Sequence, residues 1–295
     1  LINIADMSAV WFIEPIDPPS KKENKSARTL GRSNTINAQY SSGRHYNGQG
    51  INIMMQDDGI IGPHIDYNGR IDQSSFASSV NDLSNTHGDH VAGTIMGSGN
   101  LDPVAAGMAN ASFLYVYDSS NNNYSNAFPS LYQNNDVVIT SKSYSNGCNA
   151  GYTSLSQELD QQINSYPSLT HIFSAGNNGS SACSNPYIAN TNGSDWGNIT
   201  GGHKQGKNVI AVANLTSTSE LANSSSRGPA ADGRIKPDIG AKGTSVYSTV
   251  PTNEYDSYTG TSMSCPGIAG IMGQLYQGYK ELNGGINPNS ALMKA

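Results

Sequence analysis

The stretch "NIMMQDDGI", residues 52–60, places a short apolar run directly before two adjacent carboxylates and a glycine. A run of this length predicts a buried β-strand that ends at the acids. Four further runs predict strands, namely "ASFLYVYD" (111–118), "NDVVITSKSYS" (135–145), "LTHIFSAG" (169–176) and "NVIAVANL" (208–215). The segments between these strands therefore decide the class of fold.

Helical patterns separate the predicted strands. They are "DHVAGTIMG" (89–97), "SLSQELDQQINSY" (154–166) and "MSCPGIAGIMGQLYQGYKEL" (263–282). Strands that are apolar throughout and alternate with helices predict a parallel sheet covered on both faces. We therefore expect an α/β fold of three layers, a mostly parallel sheet with helices on both faces. Functional residues should lie where the carboxyl ends of the strands meet the following loops.

Composition narrows the class of protein. The 295 residues suit one large α/β domain, and the hydrophobic fraction of 36% is enough for a core. Only 13% of the residues are charged, and the net charge of −6 argues against a nucleic-acid partner. No apolar run approaches the roughly 18 residues that a membrane span needs. Low charge, many Asn and Ser residues and few cysteines are typical of a secreted enzyme.

Two residues near the first predicted strand could carry chemistry. Asp57 ends the strand, although Asp followed shortly by Gly is also common in plain turns. His87 begins the helical stretch "HGDHVAGTIMG". His87, Asp89 and His90 could suggest a metal site, but no third ligand follows at a recognisable zinc spacing. We interpret His90 as a buried, hydrogen-bonded histidine.

Two more candidates lie further along the chain. Asn177, in "FSAGNNG" (173–179), could donate an amide hydrogen bond or simply occupy a turn. Ser262, in "GTSMSCPGIAG" (260–270), precedes a long helix whose first turn should contain Pro266. The positive end of a helix favours an oxyanion near Ser262, whereas the plain alternative is an N-cap serine. The order Asp, His, Ser is one of the chain orders found in serine hydrolases.

The motifs around these residues resemble those of the subtilisin-like serine peptidases, or subtilases, over roughly residues 45–295. The similar elements are "DDG" (57–59), "HGDHVAG" (87–93), "AGN" (175–177) and "GTSMSCP" (260–266). Asp58 stands where the family usually has Ser or Thr, and we expect a structural or electrostatic role for it. The resemblance implies a subtilisin-like, three-layer fold and a serine endopeptidase that hydrolyses protein or peptide substrates.

The resemblance also implies roles for single residues. Ser262 would attack the scissile carbonyl, His87 would act as general base, and Asp57 would orient His87 through an Asp-His-Ser triad and an acyl-enzyme intermediate. Asn177 would help to hold the oxyanion. An inactive binding protein of the same fold is the main alternative. A lipase or esterase is disfavoured, because its Gly-x-Ser-x-Gly element is not present at Ser262.

Two segments are implied to bind the substrate, one as a strand partner and one as the floor of the primary specificity pocket. They comprise Ser143, Tyr144 and Ser145, and then Ser174, Ala175 and Gly176. The resemblance places the loops of Cys148 and Cys183 close together, and it implies a disulfide between them. Cys265 would then be an unpaired thiol in the core.

The N-terminal stretch is similar to the end of an inhibitory propeptide. We expect residues 1–25 to be a propeptide tail, or else a simple N-terminal extension, and residues 26–295 to be the peptidase domain. The chain would be a piece of a longer precursor, made as a zymogen and matured by autolysis, with its own propeptide as a partner. The mature enzyme should be a secreted or cell-surface monomer. It would need no cofactor for chemistry, and structural calcium is expected, with Asp66 at a position that often binds it.

Overall fold

The computed structural model of the chain describes residues 24–38, 40–59, 61–75, 86–119, 124–145, 147–148, 151–181 and 196–295. Most of the predicted propeptide tail and the predicted disulfide partner Cys183 lie outside these residues. Within them, no helix is long and apolar enough to cross a lipid bilayer.

A seven-stranded sheet forms the centre of the protein, with the strand order β2-β3-β1-β4-β5-β6-β7. Every pair of neighbouring strands in it is parallel. The strands are β1 (Asn52–Asp57), β2 (Ile71–Asp72), β3 (Phe113–Asp118), β4 (Val137–Lys142), β5 (Thr170–Ser174), β6 (Ile210–Leu215) and β7 (Ile239–Lys242). An antiparallel hairpin of β8 (Val246–Val250) and β9 (Glu254–Tyr258) stands apart from this sheet.

Seven α-helices of the described residues accompany the sheet. They are α1 (Asn24–Leu30), α2 (Ser33–Ile36), α3 (His87–Met96), α4 (Tyr124–Asn135), α5 (Ser154–Ser165), α6 (Thr261–Leu282) and α7 (Ser290–Lys294). Helix α1 begins before the predicted domain boundary, and the Arg28 side chain donates to the Ala106 carbonyl at 3.1 Å. The boundary between residues 25 and 26 therefore falls inside a helix that contacts the peptidase domain.

Strand β1 shows how both faces of the sheet are covered. Ile53 and Met55 are fully buried in a cluster that includes residues of α3 and α6. Met54, which lies between them, is fully buried in a second cluster with residues of α4 and α5. Because successive side chains of a strand point to opposite faces, helices must flank the sheet on both sides. The predicted three-layer α/β fold is confirmed.

The five predicted strands correspond to β1, β3, β4, β5 and β6. The sequence pattern did not predict β2, β7, the hairpin or α4. Helix α4 contains Pro129, a residue that normally disrupts a helix interior, which explains why its pattern was weak. Strand β4 ends at Lys142, so Ser143 to Ser145 lie beyond the strand that was predicted to include them.

Helix α3 lies very close to the hairpin. A side chain at Gly93 would collide with the hydroxyl groups of Ser248 and Thr249, so only glycine permits this approach. The same two hydroxyls donate to helix carbonyls, Ser248 to His90 at 3.0 Å and Thr249 to Asp89 at 2.9 Å. Strand β8 therefore holds α3 along its axis, which fixes the position of the helix end that carries His87.

The other end of α3 is held by Arg70, which directly precedes β2. Its guanidinium group donates to the carbonyl oxygens of Asp66, Met96 and Ser112 at 2.5, 3.0 and 2.9 Å, and to the Ser98 hydroxyl at 2.6 Å. Such charge-assisted hydrogen bonds are stronger than neutral ones. Arg70 thereby ties the end of α3 to the start of β3.

Candidate active site

Asp57 and His87 meet where β1 ends and α3 begins. The Asp57 carboxylate is buried, and its Oδ1 lies 2.5 Å from Nδ1 of His87. Oδ1 also accepts the Asp58 backbone N–H at 2.9 Å, which fixes the carboxylate. A proton held on Nδ1 by Asp57 leaves Nε2 of the neutral ring free to accept one. The geometry is therefore that of a base with an orienting acid.

The electrostatics of His87 follow from the same contact. Burial by itself lowers the pKa of His87, but the hydrogen bond and the charge of Asp57 outweigh burial, and the net effect raises the pKa above its ordinary value. The side chain of His87 keeps 35% of its surface exposed, against 2% for Asp57. The basic nitrogen is thus accessible to a substrate while its partner is shielded from water.

Asp58 has a different task from its neighbour. Its Oδ1 accepts the Gly88 backbone N–H at 2.8 Å, one of the unsatisfied donors in the first turn of α3. A negative charge at this end also suits the helix dipole. Asp58 therefore fastens the helix that carries His87, in agreement with the structural role expected for it.

The other residues of the histidine motif are structural in their contacts. His90 is fully buried, its Nε2 donates to the Val246 carbonyl at 2.9 Å, and its ring stacks on Tyr258. Burial lowers the pKa of His90 to about 4, so the ring is neutral near pH 7. The Asp89 carboxylate accepts the Gly62 backbone N–H at 2.6 Å. These contacts agree with the interpretation of His90 as a buried, hydrogen-bonded residue.

Ser262 is the second residue of α6, because the helix begins at Thr261 and Gly260 occupies the N-cap. The alternative of an N-cap serine is therefore wrong. Pro266 is also one turn later than expected, inside the helix, where its missing N–H leaves the Ser262 carbonyl without its usual helical partner. The Ser143 hydroxyl supplies the missing donor at 3.0 Å.

A second hydrogen bond between the same two residues orients the serine side chain. The Ser262 hydroxyl donates to the Ser143 carbonyl at 3.1 Å, and no hydrogen bond joins the two described residues Ser262 and His87. Ser262 lies in the first turn of α6, and 9% of its surface is exposed. A hydrogen bond from this hydroxyl to a base would have to replace the one to the Ser143 carbonyl.

The Asn177 amide is oriented by a residue that sequence reasoning missed. Its Oδ1 accepts both the backbone N–H of Thr261 at 2.9 Å and the Thr261 hydroxyl at 3.0 Å. Because two donors bind the oxygen, the orientation of the amide is fixed and its nitrogen is the end that can donate. The Thr261 hydroxyl also accepts the Gly176 backbone N–H at 3.1 Å. The only sequence signal for Thr261 was its position directly before Ser262.

The two predicted substrate segments lie around these groups. Beyond Ser143, Tyr144 turns its hydroxyl to Gln56 at 3.1 Å, while Ser145 is exposed and lies 2.8 Å from the Thr200 hydroxyl. Ser174 and Ala175 are buried, and Gly176 has a φ of 113°, a conformation that favours glycine. Sequence reasoning also missed Lys204, whose ammonium group contacts three hydroxyls here.

Asp66 does not fit the calcium site expected of it. Oδ1 accepts the Asn100 backbone N–H at 2.8 Å, and Oδ2 accepts the Gly99 N–H at 3.0 Å and the Tyr255 hydroxyl at 3.1 Å. Calcium requires six to eight oxygen ligands, whereas here three hydrogen donors converge on the carboxylate. The Asp66 carbonyl is already bonded to Arg70. Calcium elsewhere in the chain stays a prediction.

One group of three potential metal ligands occurs among the described residues, and it consists of Asp57, Asp58 and His87. Their atoms lie within 4.8 Å of one another. However, His87 and Asp57 are bonded to each other, and Asp58 holds the N-terminus of α3. The hydrogen bonds account for this cluster without an ion.

Comparison with known proteins gives the class of this site. The profile of the Subtilase family, Peptidase_S8, matches residues 48–291. The chain belongs to this family. Subtilisin DY of Bacillus licheniformis is 31% identical over 257 residues, which cover 84% of this chain and 84% of that protein. A subtilisin of Bacillus pumilus is 32% identical over 234 residues, which cover 76% of each protein.

A solved structure supports the fold independently. The structure of the CspB protease of Clostridium perfringens superposes with a TM-score of 0.74 at 16% identity, covering 90% of both chains. With the family match, this chain is a subtilisin-like serine endopeptidase. The subtilase family needs no cofactor for catalysis, and a peptide is the substrate that its activity requires.

The hydrogen bond from the Thr261 hydroxyl to Asn177 can be tested by substitution. Thr261→Val keeps the side-chain volume but removes the hydroxyl that orients Asn177. We expect kcat to fall about tenfold with little change in KM, because one hydrogen bond contributes about 0.5–1.5 kcal/mol and 1.36 kcal/mol is tenfold in rate. Steady-state kinetics measures both constants. Thr261→Ser restores the hydroxyl and should restore kcat, and an equal loss in both variants would contradict the positioning role.

Proposed function

We propose that this subtilase hydrolyses peptide bonds through Asp57, His87 and Ser262 by way of an acyl-enzyme. The observation that carries the proposal is the 2.5 Å contact between Asp57 and His87, which supplies an oriented base whose ring is partly exposed. The Ser262 hydroxyl gives its proton to Nε2 of His87 as its oxygen attacks the scissile carbonyl. His87 then returns the proton to the leaving amine, and water resolves the ester by the same steps.

The tetrahedral intermediate needs donors for its negative oxygen. The amide nitrogen of Asn177 is one such donor, and the backbone N–H of Ser262, in the first turn of α6, is the second. Both lie at the positive end of a 22-residue helix. Thr261 acts through Asn177 and is therefore a positioning residue.

Peptide binding follows from the two segments around Ser262. The residues after β4, Ser143 to Ser145, are proposed to pair with the backbone of an extended substrate by strand addition. Ser174, Ala175 and Gly176 are proposed to line the pocket for the side chain before the cut. This proposal is supported by the contact of Ser143 with Ser262 and by the contact of Gly176 with Thr261.

An activity-based probe tests the proposed nucleophile directly. A fluorophosphonate, which forms a covalent bond with an activated serine, should label wild-type protein at Ser262, as shown by peptide mapping. Ser262→Ala should abolish both labelling and peptide cleavage, because no other residue can form the acyl-enzyme. Ser217→Ala changes an exposed serine and should leave both intact. Folded wild-type protein that resists the probe would instead be an inactive binding protein, and the proposal would fail.

The pH dependence tests the orienting acid. Because Asp57 raises the pKa of His87, the ring stays protonated to higher pH than an ordinary histidine, and kcat/KM should fall as pH drops through that raised value. Asp57→Asn removes the charge, so the acid limb should move to lower pH while turnover drops by about 10⁴. The measurement is a pH profile of kcat/KM.

Asp58→Ser is the matched control, since serine can also accept the Gly88 N–H at the helix end. Its effect should be mild. A severe loss in Asp58→Ser together with a mild one in Asp57→Asn would reverse the assignment of the two acids.

The biological setting is part of the same proposal. A secreted monomer, made as a zymogen with its propeptide ending near residue 25, suits the low charge and the N-terminal sequence.

A disulfide between Cys148 and Cys183 is part of the proposal. It is supported by the Asn178 amide, which donates to Cys148 Sγ at 3.5 Å and lies five residues before Cys183 in the chain. Cys265 is a free, buried thiol. N-terminal sequencing of the active enzyme and non-reducing peptide mapping would check these points. An active enzyme in which residues 24–295 are still joined to a full-length propeptide would refute the processing. A free Cys183 thiol in oxidised protein would refute the disulfide.

A further inference from the structure

Lys204 is a buried lysine that the proposed mechanism does not use. It lies in the 3₁₀ turn His203–Gln205 and has no exposed surface. Its ammonium group donates to three hydroxyls, those of Thr200 at 2.8 Å, Ser145 at 3.2 Å and Ser174 at 3.5 Å. All three partners are neutral, so they satisfy its hydrogen bonds without neutralising its charge.

Among the described residues, no carboxylate lies within ion-pair distance of Lys204. A buried cation without a counter-charge is costly, and buried lysines are normally paired. Lys236 is the contrasting case in the same chain, because this buried lysine lies 2.5 Å from the Asp238 carboxylate. Burial lowers the pKa of Lys204 to about 7, because the charged form is disfavoured where no anion stabilises it.

Three titratable side chains near Lys204 bring no negative charge of their own. Lys142, at the end of β4, is also fully buried, and burial lowers its pKa to about 7. The ring of His203 is neutral, because burial and then the two lysine charges lower its pKa well below the ordinary range. The thiol of Cys265 is neutral too, since burial raises its pKa. The protein itself therefore offers this region no negative charge among these neighbours.

The hydroxyl partners connect this charge to the segments that contact the start of α6. Ser145 follows Ser143 by two residues, and the Ser143 carbonyl accepts the Ser262 hydroxyl at 3.1 Å. Thr200 touches the face of Gly176, whose backbone N–H is bonded to Thr261. Ser174 comes three residues before Asn177 in the chain.

Ser145 also connects the buried ammonium to the surface of the cleft. Its side chain is exposed, yet its hydroxyl accepts from Lys204 and contacts Thr200. Two residues of chain span at most about 7 Å, and a glutamate side chain reaches about 5 Å from its Cα. A side chain that enters beside Ser145 can therefore come into reach of the charge.

We infer that Lys204 makes this enzyme prefer an acidic side chain, glutamate above all, at the substrate position directly before the scissile bond. The carboxylate would accept from the Ser145 hydroxyl, and it would serve as the counter-ion of the Lys204 ammonium group that donates to the same hydroxyl. Glutamate fits better than aspartate because the ammonium group lies behind a layer of hydroxyls. A lysine or arginine at this position would meet a like charge without water to screen it. The inference rests on the proposed function, since it names the substrate class of that site.

A matched pair of covalent probes tests the inference on the wild-type enzyme. The probes are peptidyl phosphonates that differ only in carrying a glutamate-like or a glutamine-like side chain next to the phosphorus. We expect the glutamate probe to label Ser262 at least tenfold faster, since the two side chains have the same shape and only one has a charge. Equal rates, or a faster glutamine probe, would overturn the inference.

Two variants then assign the preference to one residue. Lys204→Met removes the charge and should bring the ratio of the two labelling rates to about one. Lys207→Met removes an exposed charge three residues away and should keep the wild-type ratio. A ratio that persists in folded Lys204→Met would also overturn the inference. If Lys204→Met does not fold, the wild-type ratio still decides.

The failure of the inference is distinguishable from the failure of the proposed function. A fluorophosphonate without a peptide portion reports only whether Ser262 is activated. Labelling by that reagent without any preference for the glutamate probe refutes the role of Lys204 and leaves the peptidase mechanism standing. Absence of labelling by every reagent refutes both.

Discussion

The site depends on the hydrogen bond that joins the end of β1 to the start of α3. Asp57 and His87 are 30 residues apart in sequence, and the sheet and the helix must be placed accurately for a 2.5 Å contact. The helix is held at three points: Asp58 at its first turn, the hairpin hydroxyls along its axis, and Arg70 at its last turn. The pair of Asp57 and His87 is thus positioned by contacts from residues outside the pair.

The start of α6 shows how a local departure from a regular helix can serve a site. Pro266 removes one helical hydrogen bond, and Ser143 replaces it from the neighbouring segment. The replacement ties the residue after β4 to the residue proposed as nucleophile. Because the Ser143 carbonyl accepts the Ser262 hydroxyl, one pair of contacts fixes both the segment proposed to bind substrate and the rotamer of Ser262.

The surroundings of Lys204 differ from those of two other buried charges. The Asp57 carboxylate has the imidazole of His87, and Lys236 has the carboxylate of Asp238. Within the part of the chain that the structure describes, the Lys204 ammonium group donates to hydroxyl groups and has no counter-ion, although burial disfavours its charged form. Asp66 shows the opposite case, because N–H and O–H donors surround its carboxylate where a calcium ion was expected. In both places the partners, rather than the residue type, decide which ligand is suitable.

The sequence by itself determined the parallel three-layer architecture, because continuous apolar runs that alternate with helical patterns leave few other ways to bury both faces of a sheet. It also determined the family, through four short motifs in a fixed order, and it indicated the residues that these motifs contain. Only the tertiary structure decided which groups serve them. Contacts between segments distant in sequence place Thr261 against Asn177 and Ser143 against the start of α6. They also surround the Lys204 ammonium group with hydroxyl groups and, among the described residues, with no counter-ion. Such contacts leave no periodic pattern along the chain, since a hydrogen bond depends on the position of two atoms in space and not on their separation in sequence.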